Sequence, residues 1–388
     1  MNDSSIQKIK RIEEIDYLRG FAILAVIAIH TSANFTRILN INMLLVINVI
    51  IDVFSHFAVP LFIFISGFVL SINYKGLFSH KIFLQKRAKS ILPPYIIFSI
   101  LYTLLNITHF ALNDFEFPSI KRIIFNFLIA NSYYHLWYFA LIIQFYIFYP
   151  YIIKTYENFV NFGRIPFFII FALITQQLWL IIRVTAIKYF DIYFNSVNDF
   201  DTVLSIILDR VFFSHIFYFI LGIYVSQNYE YIIDKIFRVK KWILPIIIIF
   251  TGLISVLWIN GIVKYGSYYN IPKSYFLVPD LLGSIYFPLI FSIFFITTLK
   301  FTIIKNKFAG YSKTVLLIGR YSFGIYLIHP LYIKICMSLL FPQFGVYFYH
   351  LIFYPVLFIL TLLLSYLSVH VTSYLPFSEI IIGIKNKN

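Results

Sequence analysis

Two residues in the first apolar segment of the chain have side chains and a spacing that suit chemistry. Arg19 opens this segment, and His30 follows eleven residues later. Eleven residues make about three helical turns, so the side chains fall within ~20° of one face and ~16 Å apart along the axis. A guanidinium suits phosphate recognition, and a neutral imidazole suits general-base catalysis. The pair predicts an anion-binding end and a reactive end; the alternative is a snorkelling arginine and a hydrogen-bonded histidine.

Two later stretches carry groups that allow both a functional and a structural interpretation. Ser66 and Gly67 would permit close approach of a ligand or of another helix. Lys86 and Arg87 stand in a basic stretch, residues 81–90, which is predicted to be a loop. These cations suit phosphate binding, but the same composition is typical of any cytoplasmic loop of a membrane protein.

The remaining candidates lie at the start of one apolar run and within another. His135 and Trp137 begin the first of these runs, where an interfacial aromatic belt explains Trp137 and Tyr138 but not His135. In the second run, Ser322 and His329 are seven residues apart and share a helical face, with Tyr326 nearby. Ionisable residues inside such runs are costly, so we treat them as functional hypotheses.

The elements that position these residues must be membrane helices. The chain has 388 residues, of which 61% are hydrophobic and only 12% are charged, about half the charged fraction of a soluble domain. Residues 135–153 and 165–182 contain no Asp, Glu, Lys or Arg, as expected of spanning helices. Cys336 is the only cysteine, so no internal disulfide can form, and packing explains it.

The predicted fold class is all-α, a polytopic membrane bundle of about ten transmembrane helices. The helices are predicted near residues 18–38, 51–73, 91–112, 135–153, 166–182, 207–227, 242–260, 279–299, 315–338 and 347–370. Residues 1–388 form one domain, with a cytoplasmic segment 1–17, a bundle 18–371 and a cytoplasmic tail 372–388. The N-terminus has no small-residue cleavage site, so the first helix is expected to remain in place.

The basic residues predict which side each segment faces. With the N-terminus in the cytoplasm, cytoplasmic segments hold 20 Lys and Arg residues and outer segments hold seven. This split favours cytoplasmic N- and C-termini by the positive-inside rule. The net charge of +15 therefore does not indicate nucleic-acid binding, because the cations lie in short segments between apolar runs.

In this orientation the candidate residues separate by depth. The arginines lie at the inner ends of spans (Arg19, Arg87, Arg320), and the histidines lie in the outer half (His30, His56, His135, His329). Burial in an apolar bundle favours the neutral imidazole. The arrangement predicts a phosphate-bearing donor that arrives from the cytoplasm and a reaction nearer the outer face.

The order of these motifs resembles acyltransferase family 3, the inner-membrane O-acyltransferases. The matching motifs are Leu18-Arg19-Gly20 with His30, Phe62 with Ser66-Gly67-Phe68, Lys86-Arg87 before Pro93-Pro94-Tyr95, His135-Leu136-Trp137-Tyr138, and the run from Ser322 to Pro330. The resemblance covers almost the whole chain. Some members carry an added extracytoplasmic hydrolase-like domain, which is not expected in these 388 residues, so whether another protein completes the transfer stays open.

The resemblance implies an enzyme of the bacterial cytoplasmic membrane that transfers an acyl group, usually acetyl, from cytoplasmic acyl-CoA to a carbohydrate hydroxyl. The co-substrate is acyl-CoA, with no permanently bound cofactor, no metal and no nucleic acid. Expected partners are the carbohydrate acceptor, the lipid bilayer and proteins of polysaccharide biosynthesis or export. Two rivals remain, a transporter or flippase for a lipid-linked saccharide and an inert assembly subunit; the absence of an internal repeat disfavours the transporter.

The expected role of each residue follows from its side-chain type and its predicted depth in the membrane. The donor site comprises Arg19, Arg87, Lys86 and Arg320, with Arg19 also assigned to catalysis. His30 is the general base or a transient acyl carrier, two possibilities that the sequence does not separate. Tyr326 or Ser66 could donate to the oxyanion. The supporting residues are Ser66, Gly67, His135, Trp137, Ser322, Tyr326 and His329.

Overall fold

The computed structural model describes residues 12–35, 42–74, 78–112, 119–193, 198–266, 270–303, 309–340, 342–343 and 352–384. Predictions for residues 1–11 and 385–388 lie outside these ranges. The described residues are helical throughout, apart from short connections. The helices are α1 (Glu13–Ser32), α2 (Met43–Ser55), α3 (Ala58–Asn73), α4 (His80–Leu112), α5 (Ile120–Leu128), α6 (Trp137–Asn161), α7 (Ile165–Tyr193), α8 (Asn198–Asp209), α9 (Ile216–Gln227), α10 (Tyr229–Tyr265), α11 (Leu277–Ile303), α12 (Ala309–Arg320), α13 (Ser322–Ile335), α14 (Phe353–Thr372) and α15 (Ser378–Ile382).

The predicted all-α membrane bundle is confirmed. Within the described ranges, nine helical segments are long and apolar enough to span a bilayer, with α2 and α3 together forming one of them. A shorter apolar segment, Phe212–Gln227, contains α9. Large apolar side chains on α7, α10 and α14 point outward, as expected of lipid-facing surfaces. The assignment of the two ends to the cytoplasm stays a prediction.

Helix α1 is the centre of the bundle. It packs against α2, α3, α11, α12, α13 and α14, and most of its side chains are buried. Its contact with α12 is at backbone distance, because a Cβ atom on Gly319 would lie 1.7 Å from the carbonyl oxygen of Asp16. Helices α3 and α9 meet in the same way, since a Cβ on Gly67 would lie 2.1 Å from the carbonyl oxygen of Phe219. Glycine thus sets two interhelical distances on either side of the candidate site.

Two stretches that were predicted to be loops are helical. The basic residues 81–90 form the first turns of α4, where the Ser79 side chain accepts a hydrogen bond from the amide of Ile82 at 3.4 Å. Residues 229–241 likewise form the first third of α10. Hydropathy locates the bilayer boundary but not the helix end, because Lys and Arg are good helix formers that extend a helix into water.

Two predicted helices are interrupted. The second span breaks at His56 and Phe57, which places Pro60 in the first turn of α3, where its missing amide donor costs least. The ninth predicted helix breaks at Tyr321, so α13 begins at Ser322. Both breaks lie beside residues that the sequence singled out, namely His56 and Ser322.

Candidate active site

A cluster of two arginines and one aspartate lies at the start of α1. The Asp16 side chain is buried, with Arg19 Nη1 at 3.1 Å from its Oδ1 and Arg320 Nε at 3.9 Å from its Oδ2. The close contact of α1 with α12 brings Arg320 to this carboxylate. Two guanidinium groups therefore share one carboxylate.

This cationic cluster lies at one end of a cavity of about 280 Å³. Arg19 and Arg320 line that end, and Tyr138 and Tyr326 line the cavity farther along the bundle. Hydroxyl groups add polarity between them, from Ser66, Ser90 and Ser322. Gly383 and Ile384 also line it, so the start of α1 and the last described residues meet at one cavity. We name it the cationic cavity.

The basic pair on α4 lies beside this cavity rather than in its lining. The Arg87 guanidinium packs over the ring of Tyr146, 5.6 Å from its centroid, and donates from Nη2 to the Tyr74 hydroxyl at 3.1 Å. Tyr146 lines the cavity, so Arg87 approaches it through one aromatic ring. Lys86 is exposed on the first turns of α4 and is not among the lining residues.

Three of the predicted histidines meet farther along the bundle. The ring of His30 lies 5.3 Å from that of His329, which lies 5.4 Å from that of His135. His135 and His329 are buried, and His30 is half-buried. The ring of Tyr134, 47% exposed, lies 4.8 Å from that of His30 on the other side. The histidine cluster is therefore deep at His329 and open toward Tyr134.

Hydrogen bonds orient the His329 ring within this cluster. Its Nδ1 lies 2.8 Å from the carbonyl oxygen of Tyr326, and since a carbonyl only accepts, Nδ1 carries the hydrogen. In the neutral ring Nε2 is then an acceptor, and it has no hydrogen-bond partner among the described residues. Both ring nitrogens of His135 are likewise unpaired there. Most buried polar atoms in proteins have a hydrogen-bond partner, so these nitrogens are candidates for contact with a ligand.

Tyr326 connects the cationic cavity to the histidine cluster. Its ring lines the cavity, and it lies 5.3 Å from the ring of His135 and 6.0 Å from that of His329. Ser322, Tyr326 and His329 follow one face of α13, as the sequence spacing predicts. The Tyr326 hydroxyl donates to the backbone carbonyl of His135, and the Ser66 hydroxyl donates to Phe62 O at 2.9 Å. Both candidate oxyanion donors are thus engaged elsewhere in this structure.

The other predicted residues take different places. Gly67 serves the contact of α3 with α9. Trp137 lies beside the half-buried His215, with ring centroids 6.2 Å apart. His56 lies outside the histidine cluster and lines a second cavity. In the part of the chain that the structure describes, no three His, Cys, Asp or Glu side chains converge to hold a metal.

Sequence reasoning missed two residues of this site. Asp16 reads as an ordinary acidic residue before the first span, yet it holds both arginines of the cationic cavity. Tyr138 was assigned to an aromatic belt, yet its ring lines the cavity 5.7 Å from that of Tyr326. The only sequence signal for either was proximity to Arg19 and His135.

Comparison with known proteins adds a family to this geometry. The family model described as an acyltransferase domain matches residues 12–370, which is nearly all of the chain. The chain belongs to acyltransferase family 3. Together with the apolar helices, the family identifies a multi-pass membrane acyltransferase.

Similar proteins come from Staphylococcus aureus. The "Probable poly-beta-1,6-N-acetyl-D-glucosamine export protein" of strain MRSA252 is 30% identical over 325 residues, 82% of this chain and 81% of that protein. The protein of the same name in strain Mu50 is 30% identical over 279 residues, 71% of this chain and 68% of that protein. No solved structure matches the chain.

Proposed function

We propose that this membrane acyltransferase moves an acyl group, acetyl by family resemblance, from cytoplasmic acyl-CoA to a hydroxyl of an exported or surface carbohydrate. The observation that carries the proposal is the line from the cationic cavity through Tyr326 to the histidine cluster. Arg19 and His30 mark its ends, ~16 Å apart along α1, which is comparable to an extended pantetheine arm. We place the enzyme in a bacterial cytoplasmic membrane, with the cationic cavity facing the cytoplasm.

The donor binds by its anionic end. The cavity is smaller than acyl-CoA, so the pantetheine arm enters it and the nucleotide stays at the cytoplasmic mouth. Arg19 and Arg320 meet the phosphates there, and their shared partner Asp16 keeps them in position when no donor is bound. Arg87 contributes through the Tyr146 ring, as a more distant positive charge.

Transfer then takes place at the histidine cluster. The acceptor hydroxyl oxygen attacks the thioester carbonyl carbon as His30 takes its proton; the C–S bond then breaks, and the CoA thiolate leaves and is protonated. Because the ring of His329 contacts that of His30, its acceptor nitrogen can orient His30 or share the proton. Alternatively His30 carries the acyl group transiently, in which case its ring nitrogen attacks the thioester first.

The names of the relatives favour a second candidate, saccharide export. A polysaccharide exporter and a polysaccharide acyltransferase would both hold a sugar in the bundle. Two observations support transfer over transport: the family, and the pairing of a cationic end with a cluster of three histidines.

One experiment separates the two candidates. Inverted membrane vesicles containing the protein receive acetyl-CoA labelled in the acetyl group, and label is followed into saccharide. We expect label in an ester that mild base releases, and none with vesicles that lack the protein. Saccharide that crosses the membrane without acquiring label would contradict acyl transfer and support export.

Donor binding makes a second prediction. Arg19→Ala and Arg320→Ala should each weaken acyl-CoA binding about tenfold or more, because each removes a charge-assisted contact of about 1.5–3 kcal/mol. Isothermal titration of the purified protein with acetyl-CoA measures this. Arg238→Ala is the matched control, since Arg238 is an exposed cation on the predicted cytoplasmic side that pairs with Asp234 on its own helix. Equal affinities for wild type and both cavity variants would remove the donor site from these arginines.

A further inference from the structure

A second cavity shares no lining residue with the cationic cavity, and the mechanism above does not use it. It measures about 320 Å³, within the range of small-molecule pockets at ~300–1,000 Å³. Its lining comes from the α2–α3 break, α7, α8, α10 and α11. The side chains that matter for its chemistry are His56, Arg183, Asp209, Trp258, Phe276 and Asp280.

The ion pairs of this cavity have the reverse composition of those in the cationic cavity, since here two aspartates meet one arginine. Arg183 Nη2 lies 2.7 Å from Asp280 Oδ2, and Arg183 Nη1 lies 3.2 Å from Asp209 Oδ1. One guanidinium thus meets two carboxylates in this cavity. Arg183 Nε has no hydrogen-bond partner among the described residues.

Aromatic rings form one wall of this cavity. The rings of Trp258 and Phe276 lie 4.3 Å apart, and the His56 ring lies 5.8 Å from that of Trp258. Flat aromatic surfaces beside charged hydrogen-bonding groups suit a ligand with one apolar face and a rim of hydroxyls. A pyranose ring has this form, since its axial C–H bonds make an apolar face and its hydroxyls lie around the edge.

A chain of polar contacts joins the second cavity to α1. It runs from Ser32 Oγ to Asp52 Oδ1 at 3.4 Å and from Asp52 Oδ2 to His56 Nδ1 at 3.4 Å, and His56 lines the cavity. Ser32 lies two residues after His30, so the cavity is connected to the end of α1 that carries the candidate catalytic histidine.

From this geometry we infer that the second cavity is the acceptor site, and that it binds a neutral or amino-sugar pyranose and excludes acidic saccharides. The inference rests on the proposed function for the identity of the reaction, but the site can be tested without any transfer. Trp258 stacks on the sugar, and Arg183, Asp209 and Asp280 bind its hydroxyls. A positively charged amino group on the sugar would pair with the carboxylate of Asp209 or Asp280.

The experiment measures saccharide binding to the purified protein with no acyl-CoA present. The probes are short oligomers of β-1,6-linked N-acetylglucosamine, of the deacetylated glucosamine form, and of a uronic acid. Isothermal titration should show binding of the first two and none of the third. Trp258→Ala should weaken binding about tenfold, Trp258→Phe should largely retain it, and Trp242→Ala, an exposed tryptophan on the same helix, should not change it.

A charge variant tests the second half of the inference. Asp280→Asn should lower affinity for the glucosamine oligomer about tenfold more than for the N-acetylated one, because only the former carries a cation. Asp234→Asn, at an exposed aspartate on α10, should change neither. Acetyl-CoA binding, measured in parallel, should stay at the wild-type value in every variant and so shows that each is folded.

Three outcomes overturn the inference: wild type that binds none of the oligomers, binding that ignores Trp258→Ala, or tighter binding of the uronic acid than of the glucosamine oligomer. Binding that follows the expected pattern supports the site even if the vesicles show no acyl transfer. In that case the proposed function fails while the saccharide site stands.

Discussion

Replacing His30 with alanine should lower acyl transfer by about 10²–10⁴-fold while leaving acyl-CoA binding near the wild-type value. The arginines that hold the donor lie ~16 Å away along α1, so loss of the imidazole does not remove the anionic anchor. The defect should therefore appear in kcat rather than in the affinity for acyl-CoA. Initial rates of label transfer at saturating acetyl-CoA, with titration of the same preparation, measure both quantities.

A structural histidine would behave differently at this position. Its removal would leave neighbours unpaired and lower stability by ~1–3 kcal/mol, with part of the activity remaining. His30→Gln keeps most of the volume and hydrogen-bonding ability but cannot act as a base at neutral pH. His80→Ala is the control, since His80 is exposed at the first turn of α4. Near-normal transfer by either His30 variant would rule out both the base and the acyl-carrier roles.

A second large effect is expected from one methyl group at Gly319. The Cβ atom of Gly319→Ala would lie 1.7 Å from the backbone oxygen of Asp16, so α1 and α12 must move apart. Overpacking of this kind costs about 1–3 kcal/mol, and separation of these helices also takes Arg320 away from Asp16 and Arg19. We expect a lower midpoint of thermal unfolding in detergent and a loss of acyl-CoA binding of tenfold or more.

The same helix provides the matched control for this substitution. A Cβ atom on Gly310 has no neighbour within 4 Å, so Gly310→Ala adds only the helix propensity of alanine, ~1 kcal/mol in its favour. It should leave stability unchanged or slightly higher and should not alter acyl-CoA binding. If the two alanine variants have the same stability and affinity, the close contact of α1 with α12 does not hold the donor site together.

Local patterns predicted which candidate residues lie near one another, because several of them repeat along single helices. Arg19 and His30 share a face of α1, and Ser322, Tyr326 and His329 share a face of α13, so helical periodicity alone places them. The order of motifs also predicted the family. Hydropathy predicted the bundle but not the lengths of its helices, since α4 and α10 continue beyond the apolar residues that define the span.

Features that depend on pairs of distant helices could not be predicted. The position of Arg320 beside Asp16 follows from a glycine contact between α1 and α12, for which the sequence gives no partner. The hydroxyl of Tyr326 looks free in the sequence, and only the approach of α6 gives it the His135 carbonyl. The ion pairs of Arg183 join three helices, because Asp209 and Asp280 lie on two others. The sequence around a lone arginine in an apolar run does not indicate which acidic residues it will contact.

The two cavities are lined by separate stretches of the sequence. Every residue that lines the cationic cavity lies before residue 147 or after residue 318. By contrast, the stretch from 165 to 303 supplies the second cavity with all of its lining except Val53 and His56. If the second cavity binds the acceptor, as we infer, exchange of the central helices should change the acceptor range and leave acyl-CoA binding unchanged. Diversification within the family would then concentrate in the middle of the gene, with both of its ends held constant.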